Sequence, residues 1–171
     1  MTMGIRGAVG ALVLAGAFSA FSSGRAETVV VLVRHGEKVD ESRDADLSAA
    51  GRARAQALAA MLKDAGVDTV YSTGYIRTRE MARPLAELIS KPIQVYDGDE
   101  LQAFAKDLRA RGERALVVGH SDTTPELVQL LGGEPGSPIA SDEYDRLYIL
   151  TLSEDGKTST TLLRFTTGVS K

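Results

Sequence analysis

Unbroken apolar runs alternate with stretches in which apolar residues recur every three or four positions, and the two patterns take turns along most of the 171-residue chain. The first run, Thr28-Val29-Val30-Val31-Leu32-Val33, is β-branched and aliphatic throughout, which predicts a strand covered on both faces. It ends at Arg34-His35-Gly36. After a polar loop over 37–46, Ser48 can cap a helix that carries Leu58, Met61, Leu62 and Ala65 at helical spacing and is stopped by Gly66. A short strand is predicted over 67–72. A helix follows over 75–89, in which Met81, Leu85 and Leu88 share a face and which Pro84 should kink or split. Beyond a brief strand at 93–95, Leu101, Phe104, Ala105 and Leu108 mark a third helix ending at Gly112. Ala115-Leu116-Val117-Val118 is another buried-type strand, and it ends at Gly119-His120. Thr124-Pro125 opens a fourth helix, with a capping hydroxyl and Pro at the first helical position, and Gly132-Gly133 closes it. The C-terminal part is strand-like over 145–152 and 158–165, joined by Glu154-Asp155-Gly156-Lys157, where the Asp-Gly pair signals a hairpin.

Strands alternating with helices predict an α/β domain, a three-layer α/β/α sandwich whose mostly parallel sheet ends in a C-terminal antiparallel hairpin. That hairpin either offers an edge for pairing or closes the sheet. In such sheets ligands sit beyond the carboxyl ends of the strands, near the point where strand order reverses. His35 and His120, 85 positions apart, both fall at such ends.

The N-terminus departs from this alternation. Arg6 precedes an apolar stretch from Ala8 to Phe21, too short to span a bilayer, and Gly24-Arg25-Ala26 is a small-x-small site. Residues 1–26 are therefore expected to be a cleaved signal peptide, ahead of a retained membrane-surface helix, which makes 27–171 the mature domain of a periplasmic or secreted protein. No stable membrane anchor is expected after cleavage. Losing Arg6 and Arg25 leaves 18 basic against 23 acidic residues, a formal charge of −5, which disfavours nucleic-acid binding. The absence of Cys excludes disulfides, thiolate metal sites and cysteine nucleophiles, and two His exclude a three-histidine metal site. No metal and no cofactor are expected.

Either histidine alone is most simply a polar residue where a buried strand meets solvent. Both together, directly after the two most hydrophobic strands and beside Gly36 and Gly119, point to a functional pair, with the glycines allowing backbone to approach a ligand closely. Without Cys, a Ser-His-Asp arrangement or a metal cluster, the options are general acid–base work or a nucleophilic imidazole. Arg34 beside His35, and Arg77 where a strand end passes into a helix start, favour the second. Guanidinium forks match phosphate oxygens, and a helix N-terminus adds backbone donors for an anion. A small phosphorylated substrate is implied.

The segments Leu32-Val33-Arg34-His35-Gly36-Glu37, Leu47-Ser48-Ala49-Ala50-Gly51, Tyr71-Ser72-Thr73 with Arg77-Thr78, and Val117-Val118-Gly119-His120-Ser121 resemble, in order, the histidine phosphatase superfamily in its phosphoglycerate mutase-like branch. The resemblance implies that His35 attacks phosphorus and becomes a phosphohistidine. It implies that Arg34, Arg77 and His120 bind the non-bridging oxygens, Arg77 being preferred to Arg79 and Arg83. It implies a carboxylic acid that protonates the leaving group, drawn from Asp97, Asp99, Glu100 and Asp122, with Asp122 and Asp97 in front. Asp122 has a competing use in capping the next helix. Glu37 is a candidate to orient the site from behind. Residues 37–46 and 133–145 are expected to rim the pocket. The expected activity is an exported, metal-independent phosphatase acting on phosphomonoesters. The alternatives are a noncatalytic phosphate-binding domain and a protein phosphohistidine phosphatase.

Overall fold

The computed structural model describes residues 27–167, so the expected signal peptide at 1–26 lies outside the described residues. Ten elements follow one another: β1 (Thr28–Arg34), α1 (Ala49–Leu62), β2 (Thr69–Ser72), α2 (Ile76–Leu88), β3 (Ile93–Val95), α3 (Leu101–Arg111), β4 (Arg114–Gly119), α4 (Thr123–Leu130), β5 (Arg146–Leu152) and β6 (Thr158–Arg164). They build one six-stranded sheet in the order β3-β2-β4-β1-β5-β6. The four strands from β3 to β1 are parallel, and β5 and β6 add an antiparallel hairpin beside β1. The fold is thus α/β, as the alternation predicts, and β6 is left at the edge.

Strand periodicity sorts the core into two layers. Val31, Val33, Val70, Leu116 and Val118 face α1 and α2, whereas Val30, Leu32, Tyr71, Ala115 and Val117 face α3 and α4. Every residue of β1 is buried, because β4 and β5 flank it and helices cover both faces. This two-sided burial is what the unbroken valine run requires.

The helices depart from expectation at four points. Met61 and Leu88 are 47% and 57% exposed, because the buried stripes run through Gly51, Ala55, Leu58, Ala59 and Leu62 in α1 and through Thr78, Met81, Ala82, Leu85 and Ala86 in α2. Ala65 falls beyond the end of α1. Pro84 does not split α2, which runs as one 13-residue helix held on both sides of the proline by buried Met81, Ala82, Leu85 and Ala86. The cap of α4 is Asp122 rather than Thr124, its side chain accepting from the Thr123 amide, so Pro125 stands at the third helical position. Two ends are as read: Ser48 caps α1 by accepting from the Gly51 amide, and Gly112 ends α3 in a left-handed conformation at φ 68°, whereas α1 stops at Leu62 with Lys63 as its cap, short of Gly66.

Candidate active site

The strand order brings the two histidines together. In the parallel pairing of β1 with β4, Arg34 stands opposite Gly119, and the His35 amide donates to the Gly119 carbonyl at 3.0 Å. His35 and His120 therefore emerge side by side at the carboxyl edge, with ring centroids 5.4 Å apart. A cleft of about 790 Å³ opens over them. Arg34, Lys38, Thr73, Tyr75, Arg77, Asp97, Asp99 and Asp122 also line it.

His35 is buried, and its Nδ1 lies 2.7 Å from the Gly36 carbonyl. A carbonyl only accepts, so Nδ1 carries the proton and the lone pair of the neutral ring sits on Nε2. Burial, helped by Arg34, His120 and Arg77, pushes His35 down to about 3 against the upward pull of the Gly36 hydrogen bond. Burial therefore leads, ahead of the neighbouring cations, in keeping this ring neutral. His120 is pushed down to about 4, by burial first and then by Arg77.

Both arginines are fixed before any ligand arrives. Arg34, 7% exposed, donates through one terminal nitrogen to the carbonyls of Ala140 and Glu143, each at 2.8 Å, and its guanidinium stacks 4.2 Å from the Tyr144 ring centroid. Arg77 donates to the Arg43 carbonyl at 2.9 Å, lies over Tyr75 at 4.4 Å, and brings its other terminal nitrogen 3.4 Å from His120 Nδ1. The Nε–H groups of Arg34 and Arg77 are buried without an acceptor among the described residues. A buried charged donor left unpaired is costly, so this pair suits an anion that completes it. Arg79 and Arg83 are exposed and outside the cleft.

Several expected roles change with the geometry. Gly36 and Gly119 do not line the cleft. A Cβ on Gly36 would stand 2.9 Å from Gly51 Cα, and one on Gly119 would stand 2.9 Å from the hydroxyls of Thr123, Thr124 and Tyr96, so both glycines admit close packing of the chain on itself. The first amide of α2, at Ile76, is taken by the Asp44 carboxylate at 2.7 Å and is not free for a ligand. Glu37 does not reach His35. It pairs with Arg54, the shortest contact being 2.6 Å, because the chain turns at Gly36 to pack on α1. Of the two expected rim loops, 37–46 reaches the cleft through Lys38. The other, 133–145, supports Arg34 from behind through Ala140, Glu143 and Tyr144.

Asp97 and Asp122 both line the cleft, with Asp99, while Glu100 does not. Asp122 Oδ1 accepts from the Thr123 amide at 2.7 Å and Asp97 Oδ1 from the Asp99 amide at 2.9 Å, so each is tied through one oxygen. Thr73 and Thr78 are the participants that the sequence reading left without a role, although both stand inside the segments that carry the resemblance. Their hydroxyls lie 2.9 Å apart, and Thr73 Oγ1 lies 2.9 Å from His120 Nε2. Their signal in the sequence is only that they flank Arg77 at a strand-to-helix junction.

With this geometry in view, residues 30–102 match the histidine phosphatase superfamily, branch 1. The chain is 29% identical over 116 residues to an 8-oxo-(d)GTP phosphatase of Mycolicibacterium smegmatis, covering 64% of this chain but spanning only about a third (32%) of that relative. Among solved structures it is similar to the protein histidine phosphatase SixA complexed with tungstate, with a TM-score of 0.64, 21% identity, and coverage of 80% of this chain and 96% of that one. A phosphoserine phosphatase from Entamoeba histolytica in complex with 3-phosphoglyceric acid gives a TM-score of 0.62 at 16% identity, covering 81% and 97%. At these identities the structural likeness is one of fold. The matched segment carries β1, the first histidine and Arg77.

Proposed function

We propose that the chain, after loss of residues 1–26, is an exported phosphatase that hydrolyses phosphomonoesters through a phosphohistidine on His35, without a metal ion. The observation that carries this reading is a neutral imidazole whose Nδ1–H is committed to the Gly36 carbonyl, beside two arginines whose buried Nε–H groups find no acceptor among the described residues. Nε2 of His35 attacks phosphorus; the N–P bond forms as the P–O bond to the leaving alcohol breaks. Asp122 or Asp97 gives the leaving oxygen its proton. Water then attacks phosphorus, the N–P bond breaks, the carboxylate takes a proton from the water, and His35 regains its lone pair. Arg34, Arg77 and His120 hold the non-bridging oxygens throughout, where fixed positive charge counts for most. The arginines supply charge that another phosphatase would draw from a metal ion.

A second reading, protein phosphohistidine phosphatase, is favoured by the likeness to SixA. A denaturing quench at alkaline pH separates these readings from a noncatalytic phosphate-binding domain. Incubation with 32P-labelled aryl phosphate should trap an alkali-stable, acid-labile phosphoprotein that is lost in His35→Ala. Failure to trap label, with the fold intact and phosphate still bound, supports the binding domain. Faster turnover of a phosphohistidine-bearing protein than of the aryl phosphate moves the substrate to the second reading. Mass spectrometry of the protein secreted by its host tests export, which predicts an N-terminus at Glu27.

A further inference from the structure

His120 is pinned from four sides. Its backbone amide donates to Thr123 Oγ1 at 3.0 Å and its carbonyl accepts from the Thr124 amide at 3.1 Å. Its ring meets His35 and Tyr75 edge-on, at 5.4 and 5.1 Å between centroids. What remains is which nitrogen carries the proton, and the hydrogen bonds around the ring decide it. Arg77 has only donors, and its terminal nitrogen faces Nδ1 at 3.4 Å, which calls for a lone pair there. At the other nitrogen a chain of hydroxyls begins. Thr78 Oγ1 lies 2.9 Å from the Tyr75 carbonyl and 3.2 Å from the Thr73 carbonyl, and both can only accept. The Thr78 proton is therefore spent on a carbonyl; pointing it elsewhere would set the hydroxyl oxygen's lone pairs against two carbonyl oxygens. Thr78 Oγ1 is then left to accept from Thr73 Oγ1 at 2.9 Å, and Thr73 Oγ1 in turn accepts from His120 Nε2 at 2.9 Å. Both ends of the network ask for the same tautomer.

We propose that Thr73 is a positioning residue that holds His120 as the Nε2–H tautomer in the free protein, leaving Nδ1 as the ring atom that takes up the proton of an incoming phosphomonoester monoanion and donates it back to a non-bridging oxygen beside Arg77. The two histidines thus stand in opposite tautomers: His35 with its proton on Nδ1 and Nε2 free to attack, His120 with its proton on Nε2 and Nδ1 free to exchange one. Thr73 is 3% exposed and Thr78 is fully buried, so no solvent competes for the relay. The part Thr73 plays in turnover rests on the phosphatase reading, whereas the tautomer itself does not.

The chain has only two histidines, so 15N-histidine labelling gives two side-chain spin systems, assigned by their loss in His35→Ala and His120→Ala. At neutral pH the folded protein should show a pyrrole-type nitrogen at Nδ1 of His35 and at Nε2 of His120. Thr73→Val should shift the His120 pair toward a tautomer mixture and lower kcat/KM about three- to tenfold, the size of one lost neutral hydrogen bond, with KM little changed. Thr73→Ser should restore both. A pyrrole-type Nδ1 on His120 in the unsubstituted protein, or an unchanged His120 pair in Thr73→Val, overturns the proposal. If Thr73→Val does not fold, Thr78→Val breaks the relay one hydroxyl further on and must move the same signals. The expected tautomers in a protein without phosphatase activity would overturn the functional reading and leave the hold of Thr73 on His120 standing.

Discussion

The nucleophilic role proposed for His35 needs a neutral imidazole, and the folded chain secures this by burying the ring beside cations. His35 sits at about 3 and His120 at about 4, against an ordinary value of about 6.5 for an unfolded chain. Between those limits the unfolded chain binds more protons than the folded one, so folding stability rises with pH through this window. The contribution of both rings is fully present above about pH 6.5 and is lost progressively as the pH falls toward 4. The urea midpoint should therefore drop between pH 7.5 and 5, where ordinary carboxylates stay charged, and the double substitution His35→Asn, His120→Asn should flatten the drop. A midpoint that holds steady or rises on acidification contradicts the burial. Because His35 remains neutral across the same range, it adds no acid limb to the rate above about pH 4.

Among the elements, what the sequence made legible was whatever depends on local pattern. The valine run of β1, the short run of β4, the Asp155-Gly156 hairpin, the Ser48 cap and the Gly112 stop all stand where the residues put them. What depends on packing between distant segments was not legible. Pro84 is carried through α2 by its neighbours on the core face, and loop 133–145, which reads as a pocket rim, instead supplies the carbonyls that hold Arg34. Gly51 shows the same limit. It reads as part of a motif, yet its role is to let α1 press against the turn after β1: a Cβ there would lie 2.3 Å from the Glu37 carbonyl oxygen. Backbone atoms cannot give way as a flexible side chain does. Gly51→Ala should therefore cost about 1–3 kcal/mol of stability, as overpacking does elsewhere, and should lower kcat/KM by displacing the turn that presents His35. Urea unfolding at neutral pH checks this, and a variant as stable and as active as the parent contradicts it.

In the whole molecule, function follows from sheet topology. The chain places β4 between β1 and β2, so two histidines 85 residues apart become neighbours and Arg77 arrives from the start of α2. The sequence already named His35, His120, Arg34 and Arg77, because each stands at a strand end or strand-to-helix junction. It could not choose between Asp97 and Asp122, since the loop after β3 and the start of α4 meet only in the folded cleft, and both carboxylates reach it. Nor could it show the link from the Thr73–Thr78 pair to His120, which exists only once β4 lies against β2. The measurement that bears most directly on the phosphohistidine reading is phosphate release from an aryl phosphate with EDTA present, by the purified protein and by His35→Ala. Release that persists in EDTA and falls to background in His35→Ala is the expected result. Equal release by the variant, or loss of release from the parent protein in EDTA, would contradict it.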